Sequence, residues 1–196
     1  MTIIVSNNSV EELKRHSGCA AGPDTDKSKR AILVVSFGTS YSDTRELTIE
    51  ATEAAFVEAY PDYDIRRAFT AQIVIDVLEE RDGIEVDNMT EALERLKKEK
   101  YSEVIVQPTL VMNGAEYDEM VAAVDQYEEA FDKIVVGRAL LTSHDDYEIV
   151  MDALKAQIGT LSEDEAVIFM GHGTHHFSDA AYAAMDLRFK NEGYDN

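Results

Sequence analysis

The sequence predicts an α/β protein built on a parallel sheet, and three observations carry that prediction. Short apolar runs rich in β-branched residues recur along the chain. Each is followed by a longer stretch with helical spacing, and Gly, Pro or Asp-Gly signals punctuate the passages between them. The first run is continuous rather than alternating, which marks a strand covered on both faces, as parallel strands are.

Residues 1–30 contain Asn7-Asn8-Ser9 and Gly22-Pro23-Asp24 without a sustained period, and they predict a mobile polar extension. Residues 31–37 predict the first buried strand. The loop Gly38-Thr39-Ser40-Tyr41 follows, Asp43 with Glu46 predicts a helix N-cap pair, and Pro61 predicts the end of that helix at about residue 60. A second strand is expected at 65–68, then a helix over 71–80 closed by Asp82-Gly83. An amphipathic helix over 90–100 carries Ala92, Leu93 and Leu96 on one side. Strands at 104–106 and 134–136 bracket a helix over 116–131. A helix over 147–158, a fifth strand at 166–170 and a helix over 180–189 complete the series.

Composition narrows the function classes. With 18 Lys+Arg against 39 Asp+Glu the formal net charge is −21, a field that repels nucleic-acid backbones and anionic membranes. No apolar run approaches the ~20 residues needed to span a bilayer. The single cysteine, Cys19, excludes an intrachain disulfide and fits a reducing, cytoplasmic setting.

The segment Phe169-Met170-Gly171-His172-Gly173-Thr174-His175-His176 gathers three of the five histidines directly after the expected fifth strand. An imidazole at the carboxyl end of a parallel strand lies where open α/β folds bind ligands. Neutral imidazole is also a common ligand of divalent transition metals. Flanking glycines would let a bulky ligand approach His172 without a side-chain clash.

Five blocks in order carry a family resemblance: Val35-Ser36-Phe37-Gly38-Thr39-Ser40-Tyr41 with Asp43-Thr44; Arg67-Ala68-Phe69-Thr70; Asn113-Gly114-Ala115-Glu116-Tyr117; Ser143-His144-Asp145-Asp146-Tyr147; and Met170-Gly171-His172-Gly173. The series resembles the anaerobic cobalt chelatases of cobalamin synthesis, the CbiK type of sirohydrochlorin cobaltochelatase in the class II chelatase superfamily. The resemblance implies two α/β lobes with a tetrapyrrole cleft between them. The first lobe corresponds to 31–140, and 141–196 to a connecting helix and the start of the second. It also implies insertion of Co2+ into sirohydrochlorin without ATP or an organic cofactor, and relatives that act with Fe2+ or Ni2+. Members draw a glutamate and a later histidine, both metal ligands, from beyond the position matching Asn196, so the sequence reads as a truncated member with its second lobe only begun.

His172 suits the implied reaction because insertion must hold a dehydrating cation at one face of the macrocycle and remove two pyrrole protons, and an imidazole can do either. The competing reading is a strand-end histidine satisfied by backbone groups. His175 and His176 converge on His172 only if the turn is helical; otherwise they are capping or exposed residues. Glu116 matches a family glutamate facing the substrate, suited to moving protons or metal, against the alternative of a first-turn acid favouring the helix N-terminus. Phe37, Gly38, Thr39, Ser40 and Tyr41 match the loop that lines the cleft. That loop lacks G-x-G-x-x-G and the P-loop pattern, which leaves nucleotide binding weakly supported.

The eight carboxylates of sirohydrochlorin call for a local gathering of Arg45, Arg66, Arg67 or Arg138, each of which has a surface ion pair as its alternative. A metal- or haem-binding module without turnover, and a flavodoxin-like anion or flavin domain, stay open beside the chelatase. So does homo-oligomerisation.

Overall fold

The computed structural model describes residues 23–162 and 164–194. Most of the expected N-terminal extension therefore lies outside the described residues. Four strands form one sheet: β1 (Asp26–Ser36), β2 (Asp64–Phe69), β3 (Tyr101–Pro108) and β4 (Lys133–Val136), in the order β2-β1-β3-β4, all parallel. Helices α1 (Ser42–Arg45), α2 (Ala51–Ala59), α3 (Gln72–Asp82), α4 (Met89–Lys98), α5 (Ala115–Asp125), α6 (His144–Ile158) and α7 (Ala180–Asn191) follow the strands in the alternation that the sequence predicts.

The continuous apolar run of β1 is explained by its central place. Ala31, Leu33 and Val35 pack into a core with Leu93 and Leu96 of α4 and Met120 and Val124 of α5, while Ile32 and Val34 turn to Phe56 of α2. Successive side chains point to opposite faces, so a strand covered on both sides has no polar position to spare.

The structure corrects several expectations. β1 begins at Asp26 rather than 31: its charged first residues pair through backbone with the start of β3, Asp26 opposite Tyr101, across a register irregularity. Lys29 Nζ donating to the Glu99 carbonyl at 2.9 Å supports that edge. Asp43 and Glu46 form no capping pair. The helix starts two residues earlier, behind Tyr41 as N-cap, which contributes no side-chain cap. Residues Glu46–Glu50 then form a π-helical turn that sets Arg45 and Glu50, five apart, in contact at 3.2 Å. The helix expected over 116–131 stops at Asp125 and resumes as a 3-10 turn, Glu128–Ala130.

The fifth strand is not formed. Residues 166–170 run without strand pairing, and Ile168 and Met170 are 90% and 95% exposed. Apolar β-branched sequence records a capacity for burial, but a strand also needs a neighbour for its N–H and C=O groups, and none of the four strands lies beside it. Phe169 stacks on Phe189 of α7 at 5.2 Å.

Candidate functional site

The sheet order reverses between β1 and β3: the chain passes from β1 to β2 on one side and returns to β3 on the other. In open α/β sheets the crevice outside the strand carboxyl ends at such a point is where ligands bind. The loops there are tied together below the surface. Thr109 N–H donates to Val35 C=O at 2.8 Å and its hydroxyl to Ser36 Oγ at 2.9 Å. Thr70 N–H and Ala71 N–H donate to Ser36 and Phe37 carbonyls.

The loop after β1 is shaped by Gly38. Its φ of +102° is one that residues with a Cβ rarely adopt, and a Cβ there would lie 2.7 Å from Cδ2 of buried Phe69. Arg81 of α3 donates to the Ser40 carbonyl. With the backbone held this way, Phe37 and Tyr41 present exposed rings.

His172 is exposed, and its ring centroid lies 6.3 Å from that of Phe37, tilted by 48°. Its two glycine neighbours each meet a local backbone demand. A Cβ on Gly171 would stand 2.4 Å from Cε1 of Tyr182, so that glycine admits the Tyr182 ring. Gly173, at φ +75°, donates its N–H to the Tyr182 hydroxyl at 3.2 Å. Tyr182, from the first turn of α7, thus grips the Gly-His-Gly backbone. No sequence signal singles it out, because the contact depends on how α7 folds back.

Glu116 lies in the first turn of α5, behind Gly114 as N-cap. Ser178 Oγ and Glu116 Oε2 stand 3.4 and 3.5 Å from where a Gly114 Cβ would be, which brings the histidine-rich loop up to the start of α5. His176 caps the 3-10 turn Phe177–Asp179, accepting from Ser178 N–H at Nδ1, and its Nε2 is 3.3 Å from Asp118 Oδ2. His175 is exposed and His144 opens α6 behind the Ser143 cap. The three loop histidines therefore diverge. Among the described residues His172 and Glu116 make no hydrogen bond or ion pair with each other, and no three His, Cys, Asp or Glu side chains form a ready metal cage.

All four arginines considered for substrate carboxylates are engaged within the protein. Arg45 meets Glu50, Arg66 meets Glu99, Arg67 meets Glu53 and Glu50, and Arg138 meets Asp146. Arg45 nonetheless keeps a buried Nη1 without a hydrogen-bond partner. Anion-binding capacity lies instead at helix starts. α3 and α5, which begin at the carboxyl ends of β2 and β3, have no side-chain cap, whereas α4 and α6 carry full capping boxes. Uncapped N–H groups at a helix N-terminus are receptive to carboxylates. Burial pushes the Tyr117 hydroxyl up from its usual range, and it donates to the Gly137 carbonyl at 3.1 Å, fixing α5 to the end of β4.

Residues 30–196 match the family model described as cobalt chelatase (CbiK). The chain is 44% identical over 158 residues to the sirohydrochlorin cobaltochelatase of Salmonella typhimurium, which covers 81% of this chain and 60% of that protein. It is 34% identical over 160 residues to the sirohydrochlorin cobaltochelatase CbiKC of Nitratidesulfovibrio vulgaris, covering 80% of this chain and 56% of that relative. The chain thus spans less than two thirds of the length of either relative.

Proposed function

The chain belongs to the cobalt chelatase (CbiK) family, and from that premise we propose that it takes part in inserting Co2+ into sirohydrochlorin, without ATP or an organic cofactor. The metal and the tetrapyrrole are both substrates. His172 holds the ion at one face of the ring. Glu116 takes up one pyrrole proton at a time as the metal replaces it and passes each on to solvent water. Phe37, Gly38, Thr39, Ser40 and Tyr41 form the floor on which the macrocycle rests. Two N–H bonds break and two protons leave for each ion inserted, so a neutral imidazole and an ionised carboxylate are the states the reaction needs.

The observation that carries this reading is the exposed His172 imidazole against the exposed Phe37 ring, at the switch point of the sheet. An apolar ring beside a metal-competent nitrogen suits a flat aromatic ligand whose centre must receive a cation. The open N-terminus of α3, with no acidic residue in its first turn, suits its peripheral carboxylates, since the paired arginines are already committed and the start of α5 carries Glu116 and Asp118. Fe2+ and Ni2+ compete for the same donors, because affinity at nitrogen and oxygen ligands rises toward nickel.

We assign 31–140 to a first lobe, on the grounds that the sheet ends with β4 and that α6 and α7 pack on each other. No described helix is long and apolar enough to cross a membrane, and the one cysteine fits a cytoplasmic setting.

Anaerobic mixing of the protein with sirohydrochlorin and Co2+ tests the proposal. A cobalt-dependent change in the tetrapyrrole absorption spectrum is expected, and His172→Ala should abolish it while leaving far-UV circular dichroism unchanged. An unaltered rate in that variant, or no spectral change with the unmodified protein, overturns the reading.

A further inference from the structure

We infer that Asp118 and His176 form a latch that sets the orientation of the His172 loop, which makes His176 a positioning residue for the metal-holding imidazole. The inference rests on the chelatase reading for its purpose but on separate residues for its geometry.

His176 is the sheltered member of an exposed loop. Its side chain is 18% exposed, while residues 171–173, 175 and 177 are all exposed. Nδ1 accepts from Ser178 N–H at 3.3 Å and has the Ser178 hydroxyl at 3.0 Å. A neutral ring that accepts at Nδ1 carries its proton on Nε2. That nitrogen is the one facing Asp118 Oδ2 at 3.3 Å, so the ring presents a donor to a carboxylate.

What the latch joins gives it meaning. Asp118 stands two residues after Glu116 on α5, and His176 four residues after His172 on the loop. The pair therefore fixes the element carrying the proposed proton acceptor against the element carrying the proposed metal holder. Tyr182 fixes the other end through Gly171 and Gly173. Between these two grips the backbone that carries His172 has little freedom to move away from Phe37. A surface ion pair with one partner 66% exposed adds little to global stability. Its effect is local, on where His172 stands, and a misplacement of about 1 Å in a reacting group can cost a hundredfold in rate.

The two ring nitrogens can be tested apart. His176→Asn keeps an acceptor near Nδ1 and loses the group facing Asp118; His176→Gln keeps a donor near Nε2 and loses the acceptor. Cobalt insertion by full kinetics, with amide hydrogen exchange over 171–178 alongside, reads both. Asp118→Ala and His176→Asn should lower kcat about tenfold with the sirohydrochlorin KM unchanged, and should speed exchange. His176→Gln should retain activity within about threefold of the unmodified protein.

Equal losses in the Asn and Gln variants overturn the latch, as does an Asp118→Ala variant unchanged in kcat and exchange. Should the unmodified protein show no cobalt insertion, the functional reading falls and exchange alone decides. Faster exchange in Asp118→Ala and His176→Asn, but not in His176→Gln, then supports the latch, and unchanged exchange overturns it.

Discussion

Gly38→Ala is the perturbation that probes the site's foundation most directly. The glycine holds φ at +102°, and the added methyl would meet the Phe69 ring at 2.7 Å, with Phe69 fully buried and unable to swing into solvent. Two costs add. A residue with a Cβ held in left-handed backbone costs about 1–2 kcal/mol. Overpacking a filled core costs about 1–3 kcal/mol. Together they predict a loss of about 2–5 kcal/mol, a large part of a typical domain's stability.

Urea denaturation followed by far-UV circular dichroism measures it as a lowered midpoint at unchanged slope. The steric share is separable from the backbone share. In a Phe69→Leu background the methyl finds room, so the double variant should recover about 1–3 kcal/mol relative to the sum of the singles, while the backbone cost stays. A Gly38→Ala protein within about 0.5 kcal/mol of the parent would refute the reasoning. So would strict additivity with Phe69→Leu.

Two further outcomes are expected. Tyr101, 2% exposed, accepts from Arg66 at 2.9 Å and donates to the Asp64 carboxylate, and burial together with that carboxylate pushes its hydroxyl above the usual range; Tyr101→Phe leaves Arg66 its Glu99 partner and exposed Asp64 to water, and should cost about 0.5–1.5 kcal/mol by the same urea assay. For Asp146, burial alone would raise the carboxyl, but the Ser143 hydroxyl and N–H and the nearby Arg138 outweigh it and hold it below its ordinary 3.8. A depressed carboxyl stabilises the fold above its unfolded value and loses that contribution as pH falls through the folded one. The stability difference between the parent and Asp146→Asn should therefore be constant at neutral pH and shrink as the pH falls below Asp146's ordinary 3.8.

The sequence made the sheet legible where burial is two-sided. β1 could be read because its unbroken apolar run has one common explanation, and the helices found at 72–82 and 89–98 because the Asp82-Gly83 signal closes one and Ala92, Leu93 and Leu96 line one side of the other. It misled at 166–170, where the same apolar pattern met no neighbouring strand. The π-helical turn at Glu46–Glu50 has no signature, since its i,i+5 contact between Arg45 and Glu50 uses residue types common on any helix. His172 was legible as a strand-end imidazole between glycines. The reason for those glycines was not, because Tyr182 reaches them only after α7 folds back across the loop. The arginines illustrate the opposite error: sequence shows a charge and hides its partner.

The pairing of β1 with β3 has a consequence for how the molecule comes together. Ser36 and Thr109, which touch beneath the crevice, are 73 positions apart, so the chain must close a long loop before its central strand acquires a second neighbour. During synthesis the Gly38 turn leaves the ribosome well before the strand that will anchor it. The ligand-facing loops are thus organised in the same late step that completes the sheet, and any slowing of that step delays the appearance of the binding surface by the same interval.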